Sequence, residues 1–432
     1  MVKDMATIEL IRLIHRRPEV HESRVNWREI NGRKAVDGLP QIVWENGQTW
    51  AEANLWALEQ ATTNRRKLST VLSSMTSLHS YAKWLEQEQI NWWQFPVRES
   101  DRCLNLYRGA LIEARDEGQI APSTASARMA AVIRFYRWVA KMRLLSPAWP
   151  MWNDRQVGVR LTDPFGFEHT LNVNSTDLAI PNRKPPGSTL EDGLLPVSTA
   201  AVNAILAFAE AEASQELALM LHLGFFTGMR LGTIVDLKIK TIENAVPDPA
   251  LDGWYRLAVG PGARPPVHTK FGTTGQIFIP KPVLDMLRTY IFSVRRLKRQ
   301  SIAPTQVRQN VFLTRFGKSY ADSTGTDKIR AINVEMGRLR KRGAAAGVHA
   351  LRDFHFHRSR CTFATELARV AIRHLPLSDA IDLVRQALLH KDEATTLNYI
   401  KFAQTTAAMA KAADDFTEAM MGLANRRSRH GA

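Results

Sequence analysis

The chain has 432 residues, 45% of them hydrophobic, and its 58 Lys and Arg outnumber 42 Asp and Glu to leave a net charge of +16 and a pI near 10.1. That length allows two or three domains with sizeable cores, and the excess charge points to a polyanionic partner. No apolar run reaches the ~18 residues of a membrane span, no secretory leader is expected at the start, and two cysteines, Cys103 and Cys361, make neither a disulfide framework nor a cysteine-built zinc site, which fits a reducing, cytoplasmic setting.

Residues 1–60 open on a basic amphipathic segment, with Ile8, Leu10, Ile11, Leu13 and Ile14 set among Arg12, Arg16 and Arg17. A strand-like piece, QIVWENGQTW, follows with an Asn-Gly turn signal. The region reads either as an accessory arm or as a capping or dimerising element. From 61 to 150 the pattern is helical. Leu68, Leu72, Met75, Leu78, Tyr81, Ala82 and Leu85 recur at steps of three and four, as do Met129, Val132, Ile133, Tyr136 and Val139. Arg128, Arg134, Arg137, Lys141 and Arg143 decorate the second of these helices, as a solvated face or as a surface for a polyanion, and Pro147 and Pro150 end it. Residues 151–195 show little periodicity, and NRKPPGSTLEDG within them reads as an interdomain linker.

From 196 onward helices resume, with Ser198 or Thr199 and then Ser214 available as N-caps. Leu217, Leu221 and Phe225 point inward on the second helix. Thr227-Gly228 turns the chain so that Arg230 opens the next helix, where an arginine beside a helix start suits a phosphate; pairing with Asp236 is the plainer alternative. WYRLAV and the pair VHTK and QIFIP, joined by FGTTG, suggest a small antiparallel sheet with Lys270 at the loop edge. IRAINVEMGRLRKRG is a basic helix.

The chemistry concentrates between His357 and Tyr399. HRSRCTFATELAR carries His357 and Arg360, and ALLHKDEATTLNY carries His390 with Tyr399 nine residues later. Guanidinium forks grip two phosphate oxygens at once. A phenol, with its pKa of ~10, becomes a nucleophile only beside activating cationic or basic groups. Such a set attacks a phosphodiester without metal or ATP, in keeping with a sequence that has no P-loop and no carboxylate cluster. His349 and Arg352 repeat the spacing of His357 and Arg360, but only Arg360 is followed by CTFATEL, and Phe363, Leu367 and Val370 are expected to form the buried stripe of that helix. Of seven tyrosines, Tyr81, Tyr107 and Tyr136 lie on core stripes, Tyr255 and Tyr290 fall in the sheet and the following helix, and Tyr320 stands beside a turn. Tyr399 alone follows a histidine on a short polar helix.

These fragments, together with LHLGFFTGMRLGTIVDLK and TKFGTTGQIFIP, resemble the tyrosine site-specific recombinases of the phage integrase family, in the family's order. The resemblance implies a mainly α fold: a helical core-binding domain at 61–150 and a mostly α catalytic domain at 196–432 with a small antiparallel sheet, the two closing as a clamp around DNA. It implies Arg230 and Arg360 as the catalytic arginines, Lys270 as general acid, His357 and His390 as assisting histidines and Tyr399 as nucleophile, all within reach of one phosphate and with the phenol open to a groove. It makes Arg128, Arg134, Arg137 and Lys141 candidate DNA contacts. The partners implied are duplex DNA with specific recombination sites and a homotetramer assembled on it, with no cofactor and a nucleoid-associated location. The activity implied is integration, excision or transposition of a mobile element. A DNA-relaxing or hairpin-forming enzyme of the same chemistry and a non-catalytic architectural protein remain as alternatives. Three departures stand out: Thr233 where the family often has an acid, Leu388-Leu389 where it usually has Leu-Gly, and Cys361 where it has a histidine. After Tyr399, Ala407, Met409, Ala413, Phe416, Ala419 and Met420 suggest a further helix that docks in cis or in trans, before a basic tip, NRRSRH.

Overall fold

The computed structural model describes residues 5–21, 24–162, 168–182, 190, 193–320, 329–391, 393 and 395–406. The helix and basic tip expected beyond 406 lie outside them, as does most of the linker motif. The chain divides into two compact units on either side of the Pro185–Pro186 peptide.

The first unit begins with strands. β1 (Thr7–Leu13) pairs antiparallel with β4 (Val36–Val43), from Thr7 opposite Val43 to Leu13 opposite Val36. β2 (Arg16–His21) pairs with β3 (Arg24–Glu29). The basic amphipathic start is therefore strand, consistent with its β-branched isoleucines, which cost a helix χ1 freedom and suit a pleated surface. Asn46-Gly47 makes the expected turn, Gly47 taking a φ of 80°. Four helices follow: α1 (Ala51–Thr62), α2 (Leu68–Glu88), α3 (Cys103–Asp116) and α4 (Pro122–Lys141), the last started by proline in its first turn, where a missing N–H costs nothing. Strands and helices share one core. Ala6, Leu39 and Ile42 pack with the stripes of α2 and α4 around Trp50, whose ring meets Trp44 at 4.8 Å and Phe135 at 5.2 Å. β1, β4 and α1 thus share the core of the helical unit, while among the described residues β2 and β3 contribute none to it. The expected linker is only partly irregular, because β5 (Asp154–Thr162) and β6 (Glu168–Thr176) pair along their full length there.

The second unit is centred on α6. α5 (Thr199–Glu212) is capped by Ser198, which accepts from Ala201 N, and α6 (Gln215–Thr227) by Ser214, which accepts from Leu217 N. Every residue of α6 from Glu216 to Phe225 is buried, the pattern of a helix surrounded by other elements. Short helices α7 (Leu231–Ile234) and α8 (Ile239–Glu243) lead to a sheet of β7 (Val246–Pro247), β8 (Trp254–Val259) and β9 (Gly275–Pro280), in that order and antiparallel. Here the structure corrects the sequence reading: β9 pairs with β8, not with VHTK. Three prolines in GPGARPP lie in the connection, and a residue without an N–H cannot extend a ladder. Lys270 instead opens a single 3₁₀ turn, Lys270–Gly272.

α9 (Lys281–Ile291), α10 (Val294–Ser301), α11 (Arg330–Ala345), α12 (His357–His374) and α13 (Leu377–Leu388) complete the unit, with a final described helix over 395–406. A buried carboxylate fixes the start of α6 to α10: Glu216 accepts from Arg295 at 2.8 and 2.9 Å and from the Tyr290 hydroxyl at 2.8 Å, with Arg299 at 2.8 Å. Burial pushes the Glu216 carboxyl up, but the Arg295 hydrogen bonds, the Arg299 charge and the Tyr290 hydroxyl outweigh it and hold the group below the usual carboxylate range. The buried face of α12 is not the expected Phe363, Leu367 and Val370 but Ser359, Ala364, Ala368 and Ala371. At Ser359 the cause is the close approach of α6, since a Cβ on Gly224 would overlap the Ser359 hydroxyl, whereas Ala364, Ala368 and Ala371 pack in a small core with Ala380, Val384 and Tyr399. The molecule is mainly helical, with small antiparallel sheets, as its sequence suggests.

Candidate active site

Three cations separated by up to 130 positions in the chain line one cleft of the second unit: Arg230, Lys270 and Arg360. The same cleft is lined by the hydroxyl-bearing Thr233, Thr269 and Thr273 and by apolar Met229, Ile277, Leu388 and Leu389. Positive charge among apolar side chains suits a phosphate, since the low polarity strengthens each charge–charge interaction while the forks fix geometry.

Each cation is delivered by a different device. Arg230 is the N-cap residue of α7, and it gets there because Gly228 ends α6 in the left-handed conformation, φ 63°. Only glycine fits at 228: a Cβ would run into the Phe363 ring and Leu388, besides the strained φ. With α7 a single turn long, its dipole adds little, and the guanidinium itself is what remains of the expected phosphate site. The competing partner, Asp236, accepts from the Lys238 ammonium at 2.7 Å and from the His268 amide at 2.7 Å. Arg360 lies one turn into α12, 2% exposed, and donates from its two terminal nitrogens to the carbonyls of Gly228, at 2.6 Å, and Leu388, at 2.9 Å. It therefore ties the ends of α6 and α13 together while facing the cleft, a double duty that needs a planar fork. Lys270 is exposed on its turn, with the ammonium 5.3 Å from the Phe271 ring centroid. Arg352, in the alternative spacing, is exposed, as is His349.

The other three sequence candidates are not among the residues lining the cleft. His357 is half-buried as the first residue of α12, one turn before Arg360. His390 is buried, its Nδ1 2.9 Å from the Thr396 hydroxyl, and its ring lies 5.9 Å from that of Tyr399 at an interplanar angle of 18°. Tyr399 is fully buried, 0% exposed, with its hydroxyl 3.6 Å from the Cys361 thiol. It belongs to a small core formed with Ala364, Ala368, Val384 and Leu388. The expectation of a phenol open to a groove is not met in this conformation. Arg360 faces the cleft and the next residue, Cys361, touches the phenol, so α12 links both halves of the set.

Leu389 is a residue that sequence reasoning treated only as a departure. It caps α13 in the left-handed region, φ 50° and ψ 46°, where the usual glycine is strain-free. Its methyl takes the space over Gly275 at the start of β9, which a Cβ there would fill. Thr233, like Leu389, was noted only as a departure, and Thr269, Thr273 and Phe271 carried no sequence signal beyond the glycine at 272. In the first unit, Arg134, Arg137 and Lys141 are exposed on α4 while Arg128 is half-buried; Arg137 pairs with Asp154 at 3.2 Å and stands 6.0 Å from the Trp152 ring.

Residues 197–405 match the model of the phage integrase family. Among solved structures, the chain is similar to the integrase of the transposon Tn1549 in complex with a circular intermediate DNA, at 15% identity over 83% of this chain and 99% of that one, with a TM-score of 0.49. It is similar also to a lambda integrase dimer bound to a COC′ core site, at 14% identity over 80% and 93% with a TM-score of 0.42, and to the XerA recombinase, at 15% over 81% and 91% with a TM-score of 0.33. No curated protein sequence matches it.

Proposed function

The chain belongs, through residues 197–405, to the phage integrase family of tyrosine recombinases, and from that premise we propose that it cleaves and rejoins duplex DNA at specific sites through a 3′-phosphotyrosyl intermediate, in the service of a mobile element. The observation that carries this reading is the meeting of Arg230, Lys270 and Arg360 at one cleft. Seated there, a scissile phosphate offers its non-bridging oxygens to the two guanidinium forks, which stabilise the charge that builds as the fifth bond forms. The Tyr399 oxygen forms the new P–O bond, its proton passing to a histidine-assisted acceptor with His357 in that role and His390 donating to the phosphate. The 5′ oxygen leaves with a proton from Lys270. The ester energy stays in the protein–DNA bond, so a 5′-hydroxyl of another strand reverses the step and completes exchange without metal or ATP.

For this, Tyr399 has to leave its contacts with Cys361 and His390. The reading therefore includes a rearrangement of the helix over 395–406 on DNA, with binding energy drawing the phenol out. A homotetramer on two DNA sites follows from strand exchange, which needs four cleavages. Arg128, Arg134, Arg137 and Lys141 would add phosphate contacts from the first unit, and binding should weaken steeply with salt.

The test is a duplex nicked beside the cleavage position, so that the cleaved fragment diffuses away and the protein is trapped on DNA. Wild type should give a covalent adduct. The buried phenol favours one rival, a non-catalytic DNA-binding protein: DNA binding without any adduct would establish that rival and end the recombinase reading. Plasmid relaxation without synapsis would redirect the same chemistry to relaxing DNA.

A further inference from the structure

Phe271 is 64% exposed and sits at φ 66°, ψ 7°, a left-handed conformation that a bulky residue rarely adopts. The next residue, Gly272, is left-handed too, at φ 68°. Two such residues in a row are ordinarily supplied by glycine and asparagine. The turn is nevertheless held shut, by the Thr269 hydroxyl donating to Thr273 O at 2.6 Å and by Gly272 N donating to Thr269 O at 3.2 Å. Backbone strain at so exposed a residue is of the kind that clusters at functional sites. Its neighbours Thr269, Lys270 and Thr273 line the cleft, and the Lys270 ammonium stands over the Phe271 ring at 5.3 Å from its centroid. The whole connection from Gly260 to Thr274 contains Arg264, His268 and Lys270 and no acidic residue, which suits a polyanion rather than an apolar protein surface.

Resting on the recombinase reading, we propose that Phe271 is a positioning residue, its ring a platform that holds the Lys270 ammonium at the leaving 5′ oxygen of DNA seated in the cleft. A lysine carries four rotatable bonds and on an exposed turn scatters over many rotamers; the negative face of the ring selects those in which the ammonium lies against it. That attraction is weak in water and grows when a bound duplex excludes solvent. The strained φ is what turns the ring under its neighbour.

The test separates this role from folding. Phe271→Gly suits φ 66° and should leave Tm unchanged or raised. On a nicked suicide duplex it should slow adduct formation about tenfold, part of the ~10²-fold or more that a general acid supplies. Phe271→Trp should restore the rate. A duplex whose 5′-bridging oxygen is replaced by sulfur expels a thiolate, which forms near pH 8.5 and needs no proton. On that substrate Phe271→Gly should react as fast as wild type. Equal slowing on both substrates, no slowing on either, or equal slowing by Phe316→Ala, an equally exposed phenylalanine in the similar TRFG turn outside the cleft lining, would overturn the proposal. So would a Phe271→Gly change in oligomeric state without DNA, which would give the ring to a protein contact. Failure of the underlying reading looks different: wild type then gives no Tyr399-dependent adduct on either substrate.

Discussion

Arg360 and Cys361 are consecutive residues of α12, yet they serve two unlike surroundings. Arg360 faces a cleft whose two arginines are placed by backbone: its own fork bonds two helix ends, and Arg230 follows a glycine that admits no side chain. Cys361 faces the Tyr399 phenol, held by apolar packing, a thiol at 3.6 Å and a parallel imidazole. The two arginines belong to the frame of the unit, whereas Tyr399, the proposed nucleophile, lies on the last described helix and is buried in a small core. Electrostatic catalysis needs rigid donors, which cost no reorganisation when charge develops. On the recombinase reading proposed above, burial keeps the Tyr399 phenol from DNA until the complex is built.

Removing the nucleophile gives the largest effect expected from this division. Tyr399→Phe should abolish the covalent adduct on a suicide duplex while changing DNA affinity less than about twofold, since binding rests on phosphate contacts elsewhere. An adduct from this variant, seen as a protein–DNA band resistant to detergent, would mean that another group attacks. Next come the two arginines, which should part company. Arg230→Ala should slow adduct formation by ~10²–10³ with a small change in Tm. Arg360→Lys should cost a similar factor in rate and also stability, because the Gly228 and Leu388 carbonyls lose a matched partner, at about 1–3 kcal/mol each. Equal Tm values for the two variants would refute the claim that Arg360 is also a structural tie.

Much of this was legible beforehand, and what was not has physical causes. The stripes of α2 and α4, the caps Ser198 and Ser214 and the convergence of Arg230, Lys270 and Arg360 follow from short-range pattern and from a family's order of motifs. The partner of β9 did not follow, because pairing is decided at a distance and VHTK lies nearer to QIFIP in the chain than WYRLAV does, while the prolines before it were overlooked. The buried face of α12 was misjudged because hydrophobicity predicted Phe363 and Leu367, while close approach to Gly224 at Ser359 and packing of Ala364, Ala368 and Ala371 with residues of α13 favoured small side chains. The position of the Tyr399 phenol was beyond sequence altogether: a motif records which groups react, not where they wait.

Acid titration probes the frame that holds the cleft. Glu216→Gln should destabilise by about 3 kcal/mol at pH 7, the low end for breaking a buried pair because Arg295 is half exposed. The sign of its pH dependence is fixed by the depressed carboxyl: the ion pair contributes fully above the unfolded value of ~4.3 and is lost as pH falls through the lower folded value. The gap between wild type and variant, read as chemical denaturation midpoints from pH 7 to pH 3, should hold down to about pH 4.5 and close below it. A gap of the same size at pH 3 as at pH 7 would assign the cost to packing instead of charge.

The smallest effect bears most directly on storage. A thiol is a weak donor and a weak acceptor, so its contact with a phenol adds only modestly to the packing that holds Tyr399. Cys361→Ala removes that contact and a little volume, in a helix face already made of alanines. If the buried phenol is a resting position that DNA has to undo, weakening it by about 1 kcal/mol or less shifts the balance toward release by up to about fivefold. Adduct formation under single-turnover conditions should then speed up two- to fivefold with DNA affinity unchanged. A slower Cys361→Ala enzyme of unaltered Tm would reverse the assignment, making the thiol a support for the reacting phenol and not a latch on the stored one.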